Sequence, residues 1–135
     1  MSKCMLEKIF VIKTVGGSMR PLLLTNKTLF VASCNKESIL LPGDIVVYRI
    51  GDSNTYMLHR IYFLTRKRAL ICSDAGVASP HWVNRENIIG KIENNAIFSK
   101  GVIGLFYSVV CSTIFTILRN FKNKMLGIWR NLVDA

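Results

Sequence analysis

Apolar and polar residues alternate over much of the first hundred positions. Residues 8–15 put Ile9, Val11 and Val15 on one side and Phe10 and Ile12 on the other, the two-residue period of a strand. Residues 28–33, Thr-Leu-Phe-Val-Ala-Ser, are rich in β-formers and predict a second strand. Residues 45–50 form an apolar run, and residues 56–65 form another. The tight Gly51-Asp52-Ser53-Asn54 connection between them predicts a hairpin. After the charged turn Arg66-Lys67-Arg68, residues 69–73 and 88–92 predict further strands, the last extending toward residue 97. Residues 21–24 predict one helical turn, and Leu41-Pro42-Gly43-Asp44 has Pro and Gly in turn-forming order. Residues 74–81 read as a loop containing Gly76 and Pro80, and residues 82–87 as a link. Short strands, Gly/Pro turns and little helix predict a mainly β domain over residues 1–98.

The pattern changes at Lys100. From Gly101 to Leu118 there is no charged side chain. Val102, Phe106, Val109, Val110, Thr113, Ile117, Phe121, Met125, Ile128, Trp129 and Leu132 then recur at helical spacing. Gly104, Ser108, Ser112, Arg119, Asn123, Gly127 and Arg130 mark the other side, so residues 99–135 predict a C-terminal amphipathic helix. Its second half has a basic polar face with Arg119 and Arg130, four basic residues (Arg119, Lys122, Lys124 and Arg130) close behind the apolar run, and Trp129 near the end, the pattern of an interfacial helix. The plainer alternative is a helix packed on the β domain. A membrane surface is the expected partner of residues 101–133, with the basic residues on the cytoplasmic side. A helix lying on the surface is favoured over a single pass. Spanning would require translocation of the β domain, and the first fourteen residues, broken by Glu7, Lys8 and Lys13, have no signal-peptide form.

The chain has 135 residues, half of them apolar and 19% charged, enough for one domain with a real core and too apolar for disorder. A formal net charge of +10 calls for an anionic partner: a membrane surface, nucleic acid or an acidic substrate. The basic residues are scattered, with no helix-turn-helix, zinc-finger or aromatic-basic pattern, so no nucleic acid is expected. Cys4, Cys34, Cys72 and Cys111 are far apart and form no Cys-x-x-Cys pair. They predict reduced, mostly buried thiols, and no metal or other cofactor is expected.

One stretch has no evident packing role: Gly16-Gly17-Ser18-Met19-Arg20-Pro21. Glycine allows a close backbone approach, and Pro21 fixes the direction of the chain beyond. Such a turn can present the Ser18 hydroxyl beside backbone N–H groups, as a serine nucleophile requires. Its plain alternative is a solvated turn in which Ser18 caps a short helix.

Four local patterns fall in one order: Gly17-Ser18-Met19-Arg20-Pro21; Pro42-Gly43-Asp44-Ile45-Val46-Val47-Tyr48; His59-Arg60-Ile61; and Ser73-Asp74 followed by Ile88-Ile89-Gly90-Lys91-Ile92. In that order they resemble the β catalytic domain of the type I signal peptidase family and its relatives, the self-cleaving SOS and phage repressors, over residues 10–97. The resemblance implies a serine endopeptidase that cleaves a leader or signal segment from a peptide or preprotein. Ser18 would be the nucleophile, and Gly17, Met19 and Pro21 would support its turn and oxyanion hole. Gly43, Asp44 and Arg60 would be structural parts of the motif. Where the bacterial branch and the repressors have a lysine base, this sequence has His59, as in the endoplasmic-reticulum and archaeal branch. Asp74 would orient His59 or stabilise its charged form. His81, beside Trp82, is the competing base. The sequence departs from the family pattern at Ser73, where a glycine is usual, and after Asp74, where an asparagine is usual. Thr25-Asn26-Lys27 replaces a further Gly-Asp, and the N-terminal anchor of signal peptidases has no counterpart. These departures point toward a dedicated peptide substrate, such as the leader of a ribosomally made peptide. They also motivate the alternative of a degenerate, non-enzymatic peptide-binding or regulatory module on the same scaffold.

Overall fold

The computed structural model describes residues 9–13, 19, 28–35, 38–75, 79–93 and 100–134. Among the described residues seven strands follow in chain order: β1 (Ile9–Lys13), β2 (Thr28–Ser33), β3 (Ile45–Arg49), β4 (Tyr56–Leu64), β5 (Arg68–Cys72), β6 (His81–Asn84) and β7 (Ile88–Ile92). One helix, α1 (Gly101–Val133), ends the chain. The strands form one antiparallel sheet in the order β1-β2-β7-β3-β4-β5-β6. The mainly β expectation holds, together with the C-terminal helix.

The alternation read from the sequence sets the two faces. Along β3, Val46 and Tyr48 pack with Leu40, Ile61, Ala69, Ile71, Val83 and Ile88. Ile45 and Val47, one position out of phase, pack with Met19, Leu29, Val31 and Ile92. Successive residues of a strand point to opposite faces, so both faces of the central strands are buried. Central β7 carries Gly90 for a packing reason: a Cβ there would stand 2.3 Å from the Val31 side chain.

Residues 51–54 make the predicted tight turn, closed by Ile50 N–H to the Thr55 carbonyl. β6 departs from the sequence pattern, in which residues 74–81 read as loop and 82–87 as link. Among the described residues His81–Asn84 pairs with β5 alone, with Leu70 opposite Trp82 and Ile71 opposite His81. It is a four-residue edge strand with one buried apolar side chain, Val83, too short to show a period.

Helix α1 is 33 residues, about 50 Å at the helical rise. Among the described residues, its buried positions lie near its start. Its buried residues are Gly104 and Ser108, from the small, polar side. The large apolar side chains Val102, Phe106, Val109, Ile117, Phe121, Trp129 and Leu132 are exposed. The helix is long and apolar enough to cross a membrane.

The junction of sheet and helix is built from Gly43 and Asp44. Gly43 has φ +97°, and a Cβ there would collide with the Gly101 carbonyl at 1.6 Å. Asp44 accepts from the Leu41 N–H at 2.9 Å and from the Gly101 N–H at 3.1 Å. One buried carboxylate therefore closes the Leu41–Asp44 turn and caps the first amide of α1.

Candidate active site

His59 and Arg60 are consecutive on β4, so their side chains leave the strand on opposite faces. Both are almost fully buried, at 1% and 0% exposure. Everything in the site follows from this divergence.

His59 pairs with Val46 in the β3–β4 ladder and lies on the face of Tyr48. Its Nδ1 is 3.0 Å from Tyr48 Oη. Tyr48 Oη is also 2.8 Å from His81 Nε2, and His81 Nδ1 is 3.0 Å from the Ser79 carbonyl oxygen. The three rings form a compact cluster, with centroids about 6 Å apart. Burial, and then the nearby His81, hold the His59 imidazole down at about 4, with the Asp74 charge opposing them. His59 is thus neutral at physiological pH. Burial pushes Tyr48 up to about 12, so its phenol keeps its proton.

Arg60 meets Asp74 on the other side. Nε donates to Oδ1 at 2.8 Å and Nη2 to Oδ2 at 2.7 Å, a bidentate pair with both side chains at 0% exposure. Nη1 donates to the Gly43 carbonyl at 2.7 Å. Asp74 also accepts from the Ser108 hydroxyl of α1, and Ser108 Oγ lies 2.7 Å from Tyr62 Oη. The Arg60 guanidinium further sits 5.9 Å from the Tyr107 ring centroid. Arg60, Asp74, Ser108 and Tyr62 therefore tie β4, the end of β5 and α1 together.

Of the residues singled out in the sequence, the fold places His59, Arg60, Asp74, Gly43 and Asp44 around the β3–β4 pair. Asp74 acts on His59 through its field, and its short hydrogen bonds go to Arg60 and Ser108. Met19 is buried in the second core cluster, beside Val31 and Val47. Ser18, Gly17 and Pro21 lie outside the described residues. His81, the competing base in the sequence, stands two hydrogen bonds behind His59. The bridging Tyr48 was legible only as the last residue of the Gly-Asp-Ile-Val-Val-Tyr run.

Beside this cluster opens a cavity of about 320 Å³, lined by Tyr48, Met57, His59, His81, Trp82 and Asn87 among others. Cys72 is buried and its thiol is pushed up to about 11, so it is no nucleophile at neutral pH. Among the described residues no three His, Cys, Asp or Glu side chains converge as metal ligands. No protein-family model matches the sequence, and no curated protein matches it.

Proposed function

We propose that the chain is a membrane-associated serine endopeptidase of the signal peptidase-like class, with Ser18 as nucleophile and His59 as general base. The observation that carries this reading is the state of His59: buried, held by a hydrogen bond at Nδ1, and neutral near pH 7. A general base must be unprotonated at the working pH and fixed in orientation. In the reaction, Ser18 Oγ attacks the scissile carbonyl as His59 takes its proton. His59 then returns that proton to the leaving amine, and water hydrolyses the acyl-enzyme by the same route.

The substrate is a leader or signal segment of a peptide or preprotein presented at a membrane. Support for the location comes from α1, which docks by its small residues and turns its large apolar ones outward. Arg119, Lys122, Lys124 and Arg130 follow the uncharged run and suit the cytoplasmic face.

A second reading, a non-enzymatic peptide-binding module on this sheet, draws on Asp74 being engaged by Arg60. A fluorophosphonate probe separates the two. The full chain in detergent is expected to be labelled at Ser18, and Ser18→Ala and His59→Gln are expected to lose labelling with an unchanged circular-dichroism spectrum. A wild-type chain that resists the probe favours the binding module. Labelling of His59→Gln at the wild-type rate removes His59 from the base role.

A further inference from the structure

A histidine base needs more than neutrality. Its proton must sit on the nitrogen turned away from the nucleophile, and in a Ser-His-Asp site a carboxylate enforces that tautomer. Here both oxygens of Asp74 accept from Arg60, and Oδ1 also accepts from Ser108. The hydrogen bond at His59 Nδ1 comes from a different source, Tyr48.

The direction of every proton in that chain follows from its far end. The Ser79 carbonyl oxygen can only accept, so His81 Nδ1 carries the hydrogen between them. In the neutral imidazole His81 Nε2 is then an acceptor, and the Tyr48 O–H donates to it across 2.8 Å. A phenol has one proton. With that proton committed to His81, Tyr48 Oη accepts from His59, and His59 carries its hydrogen on Nδ1. The basic lone pair is left on Nε2.

We infer that Tyr48 and His81 are positioning residues in place of a triad carboxylate: the chain Ser79 carbonyl–His81–Tyr48 fixes His59 in the Nδ1–H tautomer and turns Nε2 into the proton acceptor for Ser18. The inference rests on the assignment of Ser18 and His59 as nucleophile and base. It is consistent with a phenol held at about 12, which stays an O–H donor throughout the physiological range. The backbone supports it as well. Tyr48 is on β3 and His59 on its ladder partner β4, both in the buried centre of the sheet. His81 stands on edge strand β6, whose pairing to β5 sets its ring against Tyr48. β6 thereby gains a role in the site that its length would not suggest.

The test is nitrogen-15 NMR of the histidine rings in the full chain in detergent at pH 7.5, alongside the rate of fluorophosphonate labelling. In the wild type, His59 and His81 are both expected in the Nδ1–H form. Tyr48→Phe keeps the ring and removes the hydroxyl. It should release His59 from that single tautomer, leave His81 unchanged, and slow labelling of Ser18 by about 10²-fold, the scale of a lost acid–base contribution. His81→Phe should likewise free the His59 tautomer although it removes no atom bonded to His59. A wild-type His59 in the Nε2–H form overturns the inference without need of any variant. So does a folded Tyr48→Phe that labels within about threefold of wild type. If Ser18→Ala is labelled as fast as wild type, the nucleophile assignment fails instead. The relay is then judged on the tautomer spectrum alone, Nδ1–H at His59 supporting it and Nε2–H overturning it.

Discussion

Replacing Asp74 by Asn keeps the shape of the side chain and removes its charge. In the wild type the Asp74 carboxylate accepts two hydrogen bonds from Arg60 and one from Ser108, and neither member of the ion pair reaches solvent. In Asp74→Asn the guanidinium keeps the Gly43 carbonyl and the Tyr107 ring, but its countercharge is gone and an amide N–H₂ faces one of its own N–H groups. Leaving a buried charge uncompensated costs about 3–5 kcal/mol. For a domain of this size that corresponds to a fall in Tm of roughly 10–20 °C. Removing both members tells the cost of isolation from the worth of the pair. Arg60→Met with Asp74→Leu is expected to recover most of the loss, to within about 2 kcal/mol of wild type, because an apolar pair needs no partner. The assay is thermal and urea unfolding of the full chain in one fixed detergent, with labelling of Ser18 measured well below each transition. A stability defect and a modest change in labelling at low temperature are expected. A Tm within about 2 °C of wild type, coupled to a large loss of labelling, would show that Asp74 serves His59 and not Arg60.

Two further outcomes follow from the same structure. His59 protonates at about 4 in the folded chain against 6.5 when exposed, so the unfolded chain binds the additional proton between those values. The stability due to neutral His59 is complete above about pH 6.5 and is lost as pH falls toward about 4, by up to about 3 kcal/mol. His59→Gln should flatten this acid limb in urea titrations, and an unchanged limb would place it on another group. For the helix, the full chain should float with liposomes containing anionic lipid, whereas Val110→Arg with Ile114→Arg should stay at the bottom of the gradient. Each charge in the middle of the apolar run costs about 2.5–3.5 kcal/mol on insertion. Equal flotation of both forms would mean that α1 is not what holds the chain to the bilayer.

Much of the fold is legible in the sequence. The β-formers of residues 28–33 mark β2 to the residue, because branched and aromatic side chains suit a pleated, half-buried surface. The turns at 41–44 and 51–54 were fixed by their own Pro, Gly, Asp and Asn, whose backbone preferences act locally. The helix was equally plain, since a long uncharged run with a 3.6-residue pattern reports its own geometry. β6 was not legible: a four-residue edge strand takes its conformation from β5, and nothing within His81–Asn84 encodes that partner.

The division is sharpest at the site. The sequence by itself determined the candidate chemistry, a serine in a glycine turn and a histidine next to an arginine on a strand. It also determined that His59 and Arg60 would part to opposite faces, because pleating is local. Which face then met which partner was decided only by the tertiary structure. Arg60 met Asp74 and the first turns of α1, and His59 met Tyr48 and, through it, His81. The same holds for α1. Its pattern announced two unlike sides, but only packing against β4 showed the small side docking through Ser108 while the large apolar side stays outward. Hydrogen bonds and ion pairs act over about 3 Å, and the side-chain pairs that make them in this network are 11 to 46 positions apart along the chain, so the fold has to bring them together.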